Sequence, residues 1–436
     1  MSIEHLHSVP HLTTALTGPL LQIESHLLSQ QADIEAWFRQ QWLNTPAPFY
    51  ASVDLRNAGF KLAPVDTNLF PAGFNNLNPD FLPLCIQAVQ LAIEHACPKA
   101  RKVLLIPESH TRNQFYFESI ATLQEILIKA GFEVRIGSLI QELEQPKDFP
   151  LPSGRSIKLE PLIRENNKVG VPGFFPCMVL LNNDLSGGRP DILENLDNQM
   201  VMPPIELGWS NRLKSSHFNY YREITEEFAK LINIDPWLIT PLFRNCGEID
   251  FKKREGEDCL ARNADALLKA IKDKYKEHGL DAKPFVIIKA DAGTYGMGIM
   301  TVHSGEEIYD LNRKQRTKMS ASKAGQNVSQ VIIQEGVYTF ETWGPEQAVA
   351  EPVIYMMDRF VVGGFYRVHT GRGANENLNA PGMHFEPLAF VESCNTPDLN
   401  KSPDANPNRF YAYGVIARLA LLAAARELAE HKSKNT

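Results

Sequence analysis

Twenty residues, "KPFVIIKADAGTYGMGIMTV" at 283–302, put a lysine at the end of one apolar run and three glycines ahead of the next. The β-branched residues on both sides predict a pair of strands, and Gly293, Gly296 and Gly298 let the connecting loop turn its amides toward an anion. Lys289, where the first strand ends, adds an ammonium to those amides, a combination suited to holding ATP phosphates under a closing lid. An ordinary surface hairpin with a mobile turn fits the same residues. The chain contains no G-x-x-x-x-G-K-[ST] and no complete G-x-G-x-x-G opening a helix, which excludes the P-loop and Rossmann fingerprints.

Further residues extend the nucleotide reading. "VIIQEGV" ends in Gln334 and Glu335, an amide and a carboxylate beside an apolar slot, as a purine and its ribose hydroxyls require; a solvated strand end has the same composition. In "AEPVIYMMDRFVVGGFYRVHTGRGANENLNAPG", Glu351 precedes a strand and Arg367 ends its partner, while Asn375, Glu376, Asn377 and Asn379 fill a glycine-bounded loop. Hard oxygen ligands next to phosphates suit Mg2+. Nearer the amino terminus, "SVDLRNAGFKLAPVDTNLFPAGFNNL" carries Asp54, Arg56, Lys61, Asp66 and Asn68. Such alternating charge offers a cation to the carboxylate and an anion to the ammonium of an amino acid, although by itself it reads more simply as a surface loop with internal ion pairs. In "PESHTRNQFY", Arg112 faces a cleft or serves as a cap or salt-bridge partner; in "GWSNRLKSSHF", Arg212, Lys214 and His217 are either an anion site or a solvated basic turn.

These residues need elements to hold them. Residues 12–44 predict helices, broken or started at Pro19. A helix near 80–96, a strand "KVLLIP", a helix near 113–130 and a strand "FEVRIG" then alternate as β-α-β units do on a parallel sheet, and "PCMVLLNNDLSGG" repeats the strand-then-turn pattern at whose carboxyl end such sheets hold ligands. Helices are expected at 220–235 and 257–278, with a domain boundary near 235. From 285 to 368 the text is strand-rich, and "YGVIARLALLAAARELAEH" predicts a closing helix.

The 436 residues carry 44 Lys and Arg against 51 Asp and Glu, a formal charge of −7, so no general attraction to nucleic acid or anionic lipid exists and a bound phosphate needs a local site. No apolar run nears the roughly 18 residues of a membrane helix and no secretory signal opens the chain, which makes the cytoplasm the expected location. Six cysteines without a C-x-x-C pair fit a reduced compartment better than a disulfide framework or zinc cluster, and the histidines show no metal-ligand spacing.

The order of lysine and glycine hairpin, Gln-Glu strand end, acid-strand-arginine unit and Asn/Glu loop resembles the ATP-grasp superfamily over residues 240–436. More specifically, "SVDLRNAGFKLAPVDTNLFPAGFNNL", "PESHTRN", "ELGWSNRLKSSHF" and "YRVHTGRGANENLN" resemble the proteobacterial glutamate-cysteine ligases of the acidithiobacillus type over nearly the whole chain. That resemblance implies an α/β fold: an amino-terminal α/β pre-ATP-grasp domain with a helical layer, 1–235, then a carboxy-terminal ATP-grasp α+β domain, 236–436. It implies ATP and Mg2+, with Lys289 and residues 293–298 on the phosphates, Gln334 and Glu335 on adenine and ribose, and Glu351, Glu376 and Asn379 on the metal. Arg367 would stabilise an acyl phosphate, and Asp54, Arg56, Lys61, Asn68, Arg112 and Arg212 would serve the amino-acid substrates. The implied partners are small molecules only: glutamate, cysteine and ATP. Another ATP-grasp carboxylate-amine ligase, such as a glutathione synthetase, and a non-catalytic ATP-binding regulator are the alternatives. The usual late Glu-x-Asn strand is not evident in this chain.

Overall fold

Apolar and polar residues alternate from Ala51 to Arg56, and the chain there is a strand, Tyr50–Asn57, paired antiparallel with Leu62–Asn68. In this computed structural model, which describes residues 21–109, 113–293, 298–320, 328–388 and 410–434, the hairpin lies inside a central sheet. The strand order is His384–Pro387, Phe360–His369, Ala348–Met357, Tyr50–Asn57, Leu62–Asn68, antiparallel throughout. Tyr50 pairs with Met357 and Asp54 with Val353, so strands from both sides of residue 235 share one sheet. One face carries Ala51, Val53, Leu55, Ala350, Tyr366 and Val368 into the largest core. By the two-residue period, the other face carries Asp54, Arg56, Glu351 and Arg367.

That core is filled by the last helix, Tyr411–Lys434, whose residues 411–425 are all buried. Ala and Leu give it strong helical preference, and a helix apolar on every side belongs inside a protein. Its inner cation, Arg418, meets Glu35 through two hydrogen bonds of 2.7 and 2.9 Å. Among the described residues no helix is long and apolar enough to cross a membrane.

The expected parallel sheet is present. Met200–Met202, Met178–Asn182, Lys102–Pro107, Glu133–Ser138 and Ser156–Pro161 run parallel in that order, with Lys147–Pro150 antiparallel at the edge. Alternate residues of Lys102–Pro107 enter two cores: Val103 and Leu105 pack with the helices Leu82–Ala96 and Gln114–Lys129, while Leu104 and Ile106 join the central core. A third sheet, ordered Phe243–Cys246, Val331–Glu335, Val286–Ala290, Ile299–Val302, is antiparallel. The helix Glu257–Glu277 covers it with Leu260, Ala264, Leu267 and Ile271, one apolar stripe at helical spacing, and has acids in its first turn and lysines in its last.

Candidate active site

On the polar face of the central sheet four charges form a line. Arg367 Nη1 donates to Asp54 Oδ2 at 2.9 Å and to Glu351 Oε1 at 2.6 Å, and Arg56 Nε donates to Glu351 Oε2 at 2.9 Å. Glu351 and Arg367 are register partners on neighbouring strands, so the sheet itself brings them together. Burial works to raise the Glu351 carboxyl, but Arg56 and Arg367 outweigh it and hold it below the usual range. Burial raises Asp54 despite the pull of Arg367.

The facing wall is the third sheet. Lys289 is buried at the end of Val286–Ala290 and donates to the Val65 carbonyl at 2.6 Å. Burial pushes its ammonium down to about 8, with Lys214 adding to the effect and Asp66 opposing it. Lys214 lies 3.6 Å from Asp66, donates to the Gly293 carbonyl at 3.0 Å, and rests over the Trp209 ring. Asp66 thus stands before two buried lysines; burial would raise its carboxyl, yet Lys214, Lys289 and Arg212 bring it to about 2.

Lys214 opens the helix Lys214–Ile232, whose N-cap, Leu213, has no side chain able to accept from the first amides. Asp291 does so from outside: its carbonyl accepts from Lys214 N at 2.8 Å, and its carboxylate takes Ser215 N at 2.7 Å and Ser215 Oγ at 2.6 Å. The chain after Lys289 is therefore tied to that helix just before Gly293, whose φ of +95° favours glycine.

Together these walls enclose a cavity of about 130 Å³ lined by Asp54, Arg56, Asp66, Lys214, Lys289, Gly293, Gln334, Glu335, Glu351, Arg367, Asn377 and Asn379, with Ile287 and Ile299 among its apolar residues. Small-molecule sites usually measure ~300–1,000 Å³, so seating a nucleotide requires side chains here to give way. Two donors in this wall, Gln334 Nε2 and Arg367 Nε, are buried without a hydrogen-bond partner. Asp66 and Lys214 are visible in the sequence only as members of charged clusters; nothing in the spacing brings 66 beside 214.

Other expected residues stand elsewhere. Lys61 is buried against Glu335 at 2.8 Å, and the same carboxylate accepts from Trp237 Nε1 and Leu242 N, so Glu335 borders the cavity with its oxygens already engaged. Burial, partly offset by Glu335, takes Lys61 down to about 8. Arg212 binds Glu427 at 3.1 Å and the Thr67 carbonyl at 2.8 Å, an internal tie between the basic turn and the last helix. Asn68 turns onto Phe70. Gly298 follows the glycine loop with a φ of +69°; Gly296 and Arg112 lie outside the described residues.

The expected magnesium donors do not fit the ion as they stand. Both Glu351 oxygens are held by guanidinium groups, and Glu376 lies outside the cavity lining, engaged by Arg372 Nη1 and Gly373 N at 2.7 Å each. Asn379 alone of the three reaches the cavity with a side chain not held by an arginine. Elsewhere, Asp235, Glu277 and His278 bring possible ligand atoms within 4.8 Å of one another, but Lys274 occupies the group, bonded to both carboxylates at 2.8 and 2.9 Å.

A larger cavity, about 710 Å³, opens at the carboxyl ends of the parallel strands, where "NNDLSGG" suggested a site. Glu108, Ser138, Asn183, Asp184 and Ser186 line it. Trp209 touches one lining residue of each cavity: its amide donates to the Asp184 carbonyl at 2.8 Å and its ring lies under Lys214.

Comparison with known proteins gives the family of the chain. A family model described as glutamate-cysteine ligase matches residues 24–428. The chain is similar to a candidate gamma-glutamylcysteine synthetase from Methylobacillus flagellatus KT, known from a crystal structure: 63% identity, 97% of this chain and 99% of that chain covered, TM-score 0.87. Two remote structures, a glutathione synthetase-like effector from Globodera pallida (10% identity, 84% and 80% covered, TM-score 0.35) and D-alanyl-alanine synthetase A from Vibrio cholerae O1 biovar eltor (12%, 73% and 81%, 0.32), are too dissimilar to carry an argument. The comparison with curated proteins finds no match.

Proposed function

The chain belongs to the glutamate-cysteine ligase family and is an ATP-dependent ligase acting at the first step of glutathione biosynthesis, and we propose that its chemistry takes place in the cavity between the central and third sheets. ATP supplies the phosphoryl group that activates the glutamate side-chain carboxylate as an acyl phosphate, which the cysteine amine displaces to form the amide. Attack on that carbonyl concentrates negative charge on its oxygen and on the leaving phosphate. Lys289 and Lys214 flank the root of the glycine loop and serve the phosphates, in an ATP-grasp manner. Gln334 offers its amide to the base, beside Ile287 and Ile299. Arg367, fixed by Asp54 and Glu351, turns its spare Nε–H toward the reacting carboxylate. No side chain need act as a nucleophile. Glu335, Lys61, Arg212 and Arg56 act by holding these groups in place.

The observation that carries this reading is the pair of buried, unpartnered donors, Gln334 Nε2 and Arg367 Nε, in one cavity with Lys289. Leaving a buried donor unsatisfied costs about 1–3 kcal/mol, and a ligand acceptor removes that cost. Magnesium is expected with ATP, but the carboxylates that would hold it are engaged by Arg56, Arg367, Arg372 and Gly373 as arranged.

The test is ADP formation with ATP and glutamate, ATP and cysteine, or all three. Rapid turnover only with all three is expected. A phosphorylated product accumulating without an amine would identify a kinase, and tight ATP binding with no amine-dependent turnover would identify a regulator. Lys289→Met should lower kcat/KM for ATP about 10- to 100-fold, the scale of one charge-assisted contact of about 1.5–3 kcal/mol.

A further inference from the structure

Sequence spacing hides how the cysteines meet. Of the five described, Cys85 is buried and donates to the Val362 carbonyl, while the other four stand in two pairs. Cys97 and Cys177, 80 residues apart, bring their sulfurs to 2.8 Å; Cys246 and Cys259 bring theirs to 3.2 Å. The first pair is the more accessible, both members being half-buried, whereas Cys246 is 4% exposed.

Both backbones of the first pair are fixed. Cys97 closes the helix Leu82–Ala96, its amide donating to the Ile93 carbonyl at 2.7 Å. Cys177 leads into Met178–Asn182, an interior strand of the parallel sheet, and its carbonyl accepts from Met200 N at 2.7 Å. A disulfide has its sulfurs about 2.05 Å apart, so closing the pair asks for roughly 0.8 Å of approach between the sulfurs.

We propose that Cys97 and Cys177 are a modification site: a reversible cross-link formed by exchange with low-molecular-weight disulfides. One of the two sulfurs, as thiolate, attacks a sulfur of the small disulfide and expels one thiolate. The second protein sulfur, on losing its proton, attacks the mixed disulfide at the protein sulfur and expels the other. The pair loses two electrons and two protons, and the small disulfide becomes two thiols. Burial and the neighbouring sulfur push the Cys97 thiol up to about 11, so near neutral pH it is almost wholly protonated and the exchange is slow, quickening as pH rises. The cross-link joins the amino end of the strand to the helix, away from the cavity at the strand's carboxyl end, so it braces the parallel sheet without blocking that cavity.

The experiment incubates the reduced, full-length protein with excess oxidised glutathione, blocks free thiols, and maps peptides without reduction. The expected product is a Cys97 peptide joined to a Cys177 peptide and lighter by two hydrogens. Its formation should raise Tm by about 3–8 °C, in keeping with closure of so long a loop, and dithiothreitol should reverse both changes. Finding both cysteines alkylated, or each carrying its own glutathione, overturns the proposal. In Cys177→Ala the Tm rise should vanish; a rise that persists places the cross-link elsewhere and equally overturns it.

Discussion

At the scale of single residues, the charge of Lys289 sets a pH dependence with opposite signs for activity and stability. With its ammonium at about 8 in the folded protein against 10.5 ordinarily, Lys289 loses its proton early, so kcat/KM for ATP should fall as pH rises through about 8. Between about 8 and 10.5 the unfolded chain binds that proton more tightly, so this residue's contribution to stability rises over the same window. Comparing pH profiles and melts of the parent with Lys289→Arg checks both; an unshifted activity limb in the variant would remove Lys289 from the phosphate site. Arg56 presents the reverse situation. The charge pattern offered it to the glutamate carboxylate, but its guanidinium is spent on Glu351 and the carbonyls of Val337, Ala374 and Glu376. Arg56→Lys should therefore cost roughly 1–3 kcal/mol in a denaturant melt and leave the glutamate KM of the folded enzyme nearly unchanged. That Lys289, Gln334 and Arg367 stand near the ends of strands was legible because each breaks an apolar run with a distinctive side chain. Commitments such as Arg212 to Glu427 were not, because a partner over two hundred positions away leaves no local mark.

Among elements, the helix Lys214–Ile232 and the chain after Lys289 depend on each other through Asp291. Asp291→Ala should cost about 1 kcal/mol, as loss of a helix cap does, and should raise the ATP KM because the glycine loop loses its anchor. A change in stability with no change in KM would separate the anchor from the nucleotide. The loop bearing Glu376 supports a second expectation: Glu376→Gln should leave the response of turnover to added magnesium unaltered, since its carboxylate answers to Arg372 and Gly373. A higher metal requirement in a magnesium titration would show that the loop rearranges with substrate bound. Most elements were legible from periodicity, and the helix expected at 257–278 is Glu257–Glu277. The hairpin at 50–68 was obscured because its polar face is charged, which made a buried strand pair read like a solvated loop, although the alternation of Ala51, Val53 and Leu55 was there to be seen.

For the molecule as a whole, the sequence suggested a division near 235, while the central sheet pairs residue 50 with residue 357. A fragment of residues 1–235 lacks both the strand beside Tyr50–Asn57 and the helix that fills the core, so it should be expressed insoluble or without a cooperative melt. Co-expression with residues 236–436 should restore a folded complex, and a sharp melt from the first fragment alone would establish it as an independent domain. Composition could announce neither fact, since strand pairing across the chain is settled by which apolar faces meet after every element exists.

The burial of the last helix also imposes an order in time. Arg56 waits 295 residues for Glu351, and the helix that seals the core is made later still. At ~5–20 residues per second, a ribosome leaves the second edge of Tyr50–Asn57 without its neighbour Ala348–Met357 for roughly 15–60 s. During that interval the nascent chain exposes a strand edge and an apolar face that the last helix has yet to cover, which makes the yield of this enzyme sensitive to translation speed and to the chaperones available at the ribosome.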